Sequence, residues 1–175
     1  MVMRSPVETT KRVNQVAPQD INGAAQGGNY NFASLRNYQG AYFVLKVGAH
    51  TPGVGAVAAT IQQAVNVEGS SNKAIAFDKY YSNDHSSANP DEVDLWQETT
   101  GAAGTFEIAA NTTYVIPIKP AELDVTNRFD CIRGHLEAGA TACLVSLELV
   151  LYGGPEGIVN DKDHIPSAAV NRQDN

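Results

Sequence analysis

Cysteine is scarce in this chain, tryptophan occurs once, and no apolar run approaches the ~20 residues that span a bilayer. The last absence predicts no membrane partner. The start Met-Val-Met-Arg-Ser-Pro leads into polar residues, not the apolar stretch of a secretory leader. The expectation is a soluble chain made in a cytosol. Cys131 and Cys143 fall in an expected hairpin, where a cross-strand disulfide is one reading. Two buried, reduced thiols suit the compartment better. Basic residues are few, 12 Lys and Arg against 19 Asp and Glu, and nowhere do they cluster. Phosphate neutralisation needs concentrated positive charge, so nucleic acid is not an expected partner.

The residues of catalysis are also missing as patterns. His50, His85, His135 and His164 lie on separate segments, and none forms a pair at metal-ligand spacing. No glycine-rich loop follows a strand and opens a helix, which leaves nucleotide binding without support. Asn83-Asp84-His85-Ser86 reads as a solvated turn and not as a nucleophile with its base. Asp91, Glu92 and Asp94, with Glu98 nearby, make the densest acidic group. A Ca²⁺ site takes ~6–8 oxygen ligands, and no motif supplies them here, so a solvated loop is the expectation. The chain is expected to be no enzyme, with no catalytic residue, no cofactor and no metal.

What the sequence does contain is short alternating segments punctuated by Gly, Pro and Asn. Residues 1–40 and 153–175 are rich in Gln, Asn, Gly, Ala and Pro, and read as extended arms around a body at 41–152. Charge divides unevenly. The first arm has four basic and two acidic residues (net +2), the body six and thirteen (net −7), the last arm two and four (net −2).

In the body, Tyr42 to Val47 is a nearly continuous apolar run, expected as a central strand. Val57, Ala59, Ile61 and Val65 alternate with polar residues until Gln63 breaks the inward face, which suggests a strand end or a bulge. A strand is expected from Lys73 to Tyr81, with Ile75 and Phe77 on one face. Val93 to Gln97, Thr105 to Ala109 and Tyr114 to Ile118 follow. Pro117 cannot donate to a ladder, which marks an edge or a bulge. Pro120 to Asp124 predicts one helical turn with Pro at its first position. Phe129 to Glu137 and Thr141 to Tyr152 close the set, with Cys143, Val145, Leu147, Leu149 and Leu151 on one face. The fold class is all-β: a β-sandwich of about eight antiparallel strands, jelly-roll-like, with N- and C-terminal arms.

Two groups of residues invite partners. Val13, Val16, Ile21, Tyr30, Phe32 and Leu35 are isolated apolar points on the first arm, suited to pockets on a neighbouring subunit; the last three, with Tyr38, also suit stapling the arm to the body. Tyr80, Tyr81 and Trp96 are aromatic enough to form a sugar platform, although packing at the sandwich edge is the plainer reading.

The stretches Gln39-Gly40-Ala41-Tyr42-Phe43-Val44-Leu45-Lys46-Val47-Gly48, Ala59-Thr60-Ile61-Gln62-Gln63-Ala64 and Lys73-Ala74-Ile75-Ala76-Phe77-Asp78 resemble small head proteins of tailed bacteriophages. So do Thr113-Tyr114-Val115-Ile116-Pro117-Ile118, Ala121-Glu122-Leu123-Asp124-Val125, Phe129-Asp130-Cys131 and the closing run Leu144 to Gly153. The resemblance covers 39–153. It implies a cement or decoration protein on the capsid exterior of a virion, made in the host cytoplasm. Its partners would be the major capsid protein and itself, as a homotrimer bridging neighbouring capsomers. The alternatives from the residues are a carbohydrate-binding sandwich on the virion surface and a head–tail connector or tail component.

Overall fold

A computed structural model of the chain describes residues 10–21, 32–49, 58–85, 96–100, 104–137 and 142–154. The strands are β1 (Thr10–Asp20), β2 (Ala33–Ser34), β3 (Gly40–Val47), β4 (Ala58–Ala64), β5 (Lys73–Ala74) and β6 (Lys79–Asp84). They continue with β7 (Gln97–Thr100), β8 (Thr105–Glu107), β9 (Thr112–Ile118), β10 (Cys131–Leu136) and β11 (Leu144–Tyr152). Single 3₁₀ turns occupy Pro120–Glu122 and Val125–Asn127, the first with Pro at its start as expected.

The strands form two antiparallel sheets. One runs β1-β11-β3-β9-β6-β7, the other β2-β10-β4-β5, with β8 also pairing β4. Each sheet interleaves early strands with late ones, which is the strand order of a jelly roll. β6 and β7 extend the larger sheet beyond that pattern. The all-β sandwich is therefore present, but its outline differs from the sequence expectation. The first two strands of the roll lie at 10–34, inside what reads as an arm. β1 pairs along β11 from Thr10↔Tyr152 to Asp20↔Leu144. Val16 and Ile21 are fully buried in the main core, and Leu35 joins them. Few apolar residues are needed to hold this segment, because the neighbouring strand supplies both the ladder and the greasy face. Among the described residues the sandwich thus includes Thr10–Asp20, which lies outside the body expected at 41–152. Tyr30 and residues 155–175 lie outside the described residues.

The core follows from alternation. Ala41, Phe43, Leu45 and Val47 of β3 face Val145, Leu147, Leu149 and Leu151 of β11 along one inner surface. Ile61 of β4 with Ile132 and Leu136 of β10 line the other. A Cβ built on Gly134 would collide with Leu147 Cδ2 and reach Phe43 Cδ1 at 3.4 Å. Glycine in mid-strand here lets the two sheets close.

Four local expectations are resolved. Gln63 neither ends β4 nor makes a bulge: the β4–β10 register runs unbroken, and buried Gln63 Oε1 accepts from Asp124 N at 2.8 Å. Pro117 sits opposite Tyr42 of β3 and beyond the last β6 pair, Tyr81↔Val115, so its missing donor falls where β9 is locally an edge. β10 and β11 belong to different sheets and are no hairpin. Cys131 and Cys143 are free and buried, in separate clusters. The strand expected from Lys73 to Tyr81 is interrupted at 75–78, where Ile75 and Phe77 turn into the core.

Candidate interaction surface

The residues singled out for partner contact are mostly spent inside the molecule. Val16, Ile21, Phe32 and Leu35 are buried, and Val13 is half-buried against the core. Phe32 does act as a staple. It packs with Ala64 and Cys131, its ring lies where Gly69 (φ +85°) has no side chain, and its N–H donates to Val67 O at 2.9 Å. Here these side chains are packed within the chain's own fold and are not presented to a partner.

The aromatic platform does not assemble either. Adjacent residues of a strand point to opposite faces. Tyr80 turns inward, stacked on Phe106 at 4.5 Å and close to Phe77 and Tyr114, whereas Tyr81 points out beneath Lys79 Nζ. Trp96 precedes β7 and is 51% exposed. Asp91, Glu92 and Asp94 lie outside the described residues, as do His50 and His164. Glu98 is bound to Lys79 at 2.9 Å. Hydrogen bonds with Tyr81 and then Glu98 hold the Lys79 ammonium well above its ordinary range, and Lys79 and Tyr81 hold the Glu98 carboxyl below its own. Among the described residues no group of three or more His, Cys, Asp or Glu is arranged to hold a metal ion.

The two outward surfaces of the sandwich differ. On the smaller sheet the outward face is polar at Thr60, Gln62, Arg133 and His135, with Phe32 packed over Ala64 and Cys131 at one end. Arg133 Nε donates to Gln62 Oε1 at 2.9 Å while its guanidinium lies over the Phe32 ring, and the Thr60 and Thr105 hydroxyls bond at 2.8 Å. His135 stands opposite Thr60 in register. Burial first, and the Arg133 charge second, lower its pKa, which favours the neutral ring.

The larger sheet carries an apolar outer band. Register places Tyr42 and Val44 of β3, Val115 and Pro117 of β9, and Val150 and Tyr152 of β11 on this face. Four of them, Tyr42, Val44, Val115 and Pro117, are half-buried; Val150 is only 2% exposed, yet stands apart from the main core. The Tyr42 and Tyr152 rings lie 6.2 Å apart, and the Tyr152 ring covers the bare backbone of Gly40. Ion pairs flank the band: Arg12–Glu148 at 3.4 Å towards β1, and Lys79–Glu98 towards β7. An apolar centre with a charged rim is the layout of a protein-binding surface. Alternation in a one-sided sheet would have put polar residues at these positions. The signal in the sequence is the unbroken run Tyr42 to Leu45, apolar on both faces, which reads as a strand covered on both sides.

No protein-family model, curated protein or solved structure matches this chain.

Proposed function

We propose that this chain is a structural protein of a tailed-phage head, a cement or decoration protein that docks on the major capsid protein and bridges neighbouring capsomers from the capsid exterior. The observation that carries the reading is the apolar outer band of the six-stranded sheet, where Tyr42, Val44, Val115 and Pro117 are half-buried and Tyr152 is exposed. Covering it on a partner removes apolar area from water at ~25 cal/mol per Å². The resemblance of 39–153 to small head proteins supplies the kind of partner, and the acidic body suits an outer surface better than one facing DNA. Association as a trimer belongs to the same proposal.

Co-sedimentation with expanded heads tests it. The wild-type chain pellets with heads, whereas Val44→Lys with Val115→Lys stays in the supernatant while its circular dichroism is unchanged. A double variant that pellets like wild type would remove this face from the contact. The carbohydrate reading now rests on exposed Trp96 with Tyr81, since Tyr80 is inside; glycan binding lost on Trp96→Ala would revive it.

A further inference from the structure

We propose that β1 is an exchangeable strand: Thr10–Asp20 of one copy leaves its own sheet and pairs with β11 of a second copy of this chain. This goes beyond the head-protein reading and does not depend on it, because it concerns the purified chain alone.

Among the described residues β1 is an edge strand, paired in its sheet with β11 alone. Its ladder is irregular twice, between Asn14 and Val16 and between Val16 and Gln19, and Pro18 lies inside it. The first irregularity turns Gln15 and Val16 inward together. Gln15 is 0% exposed, and neither its amide nitrogen nor its amide oxygen has a hydrogen-bond partner among the described residues. A buried amide without partners is held at a cost that water removes on release. The strand is thus bound by its ladder to β11 and by apolar contacts, and opposed by one of its own side chains.

The occupant of a vacated β11 edge is set by complementarity. Val16 and Ile21 fill the core beside β11, Ile21 N donates to Cys143 O at 3.0 Å, and Asp20 Oδ1 accepts from Cys143 N at 2.8 Å. Arg12 reaches Glu148 across the same ladder. The strand on hand with that pattern is β1 itself, so a second copy restores each contact in trans. Between Ile21 and Phe32 the sequence has ten residues, 22–31, including Gly23, Gly27 and Gly28. A chain of that length spans up to ~35 Å. Exchange between identical chains closes into a dimer when reciprocal.

The test uses the Cα partners Asn14 and Glu148, on the outer side of the ladder. Full-length Asn14→Cys and Glu148→Cys chains are mixed, incubated, oxidised and mapped by mass spectrometry. Exchange predicts a disulfide between the two chains at least tenfold above the control pair Asn14→Cys with Thr99→Cys, which lies on β7. Gln15→Leu, or Gln15→Met if the former precipitates, slows its appearance at least tenfold. A chain carrying both Asn14→Cys and Glu148→Cys, oxidised within itself, stops exchanging. Cross-linking no greater than the control would overturn the proposal. So would a locked chain that still exchanges, and a Gln15 variant that exchanges at the wild-type rate would overturn the buried amide as the release.

Discussion

Single side chains carry the sharpest consequences of this fold. Gln15 has two polar groups that are shut away from water and lack partners among the described residues, each group worth ~1–3 kcal/mol of penalty. Gln15→Leu is accordingly expected to raise stability by about 1–3 kcal/mol in urea unfolding. Gly134 works in the opposite sense. Its missing Cβ is occupied by Leu147 and Phe43 from the facing sheet, so Gly134→Ala overpacks the interface and is expected to lose about 1–3 kcal/mol. Cys131 is buried, and its S–H donates to Asp130 Oδ1 at 3.1 Å. Burial first and Asp130 second push the thiol up to about 12, and burial raises Cys143 as well. The thiolate is the reactive form, so neither cysteine should be alkylated in the folded protein at pH 8, and both should react in urea. Mass spectrometry of the alkylated chain reads this directly.

At the scale of elements, the strongest alternation was the easiest to read. β11, with its inward Val145, Leu147, Leu149 and Leu151, and β3 lie where the sequence places them, and the helical turn at Pro120 does too. β1 was not readable because its stripe is thin: Val13, Val16 and Ile21 are separated by polar residues, and a bulge shifts the period between them. Its partner β11 lies at the far end of the chain, a pairing no local pattern announces. The outer band was missed for a related reason, since Tyr42, Val44, Val115 and Pro117 come together only through the order β11-β3-β9. The candidate glycan platform failed on parity, Tyr80 and Tyr81 being neighbours on one strand.

The turn after β9 makes a pH-dependent prediction. Asp124 accepts from Lys73 Nζ at 2.5 Å and Asn127 Nδ2 at 2.8 Å, and these, Lys73 first, hold its carboxyl below the ordinary range. A depressed carboxylate contributes stability that is present above the unfolded value near ~4 and lost as pH falls through the folded one. The urea midpoint should therefore fall on going from pH 6 to pH 3, and fall less in Asp124→Asn.

Taken as a whole molecule, the chain is a jelly roll with two unlike outer faces. One is polar, built on Arg133, Gln62, Thr60 and Thr105. The other is apolar at its centre and charged at its rim. Within the segment that reads as an arm, Val16, Ile21, Phe32 and Leu35 are buried, and the proposed contact lies instead on the outer face of the six-stranded sheet. Deleting residues 1–21 should consequently unfold or aggregate the protein, because it removes Val16 and Ile21, each worth ~1.5–3 kcal/mol of burial, and strips the β11 edge. A cooperative, wild-type melting curve for that truncation would contradict the assignment of β1 to the sandwich.

The central claim is that the face bearing Tyr42, Val44 and Val115 meets a capsid shell. Its most direct test is an electron cryomicroscopy map of heads decorated with the purified chain. The account predicts density for the sandwich on the outer surface of the shell, with the six-stranded sheet turned towards the major capsid protein. Undecorated heads, density at the tail vertex alone, or a sandwich with that face open to solvent would contradict it.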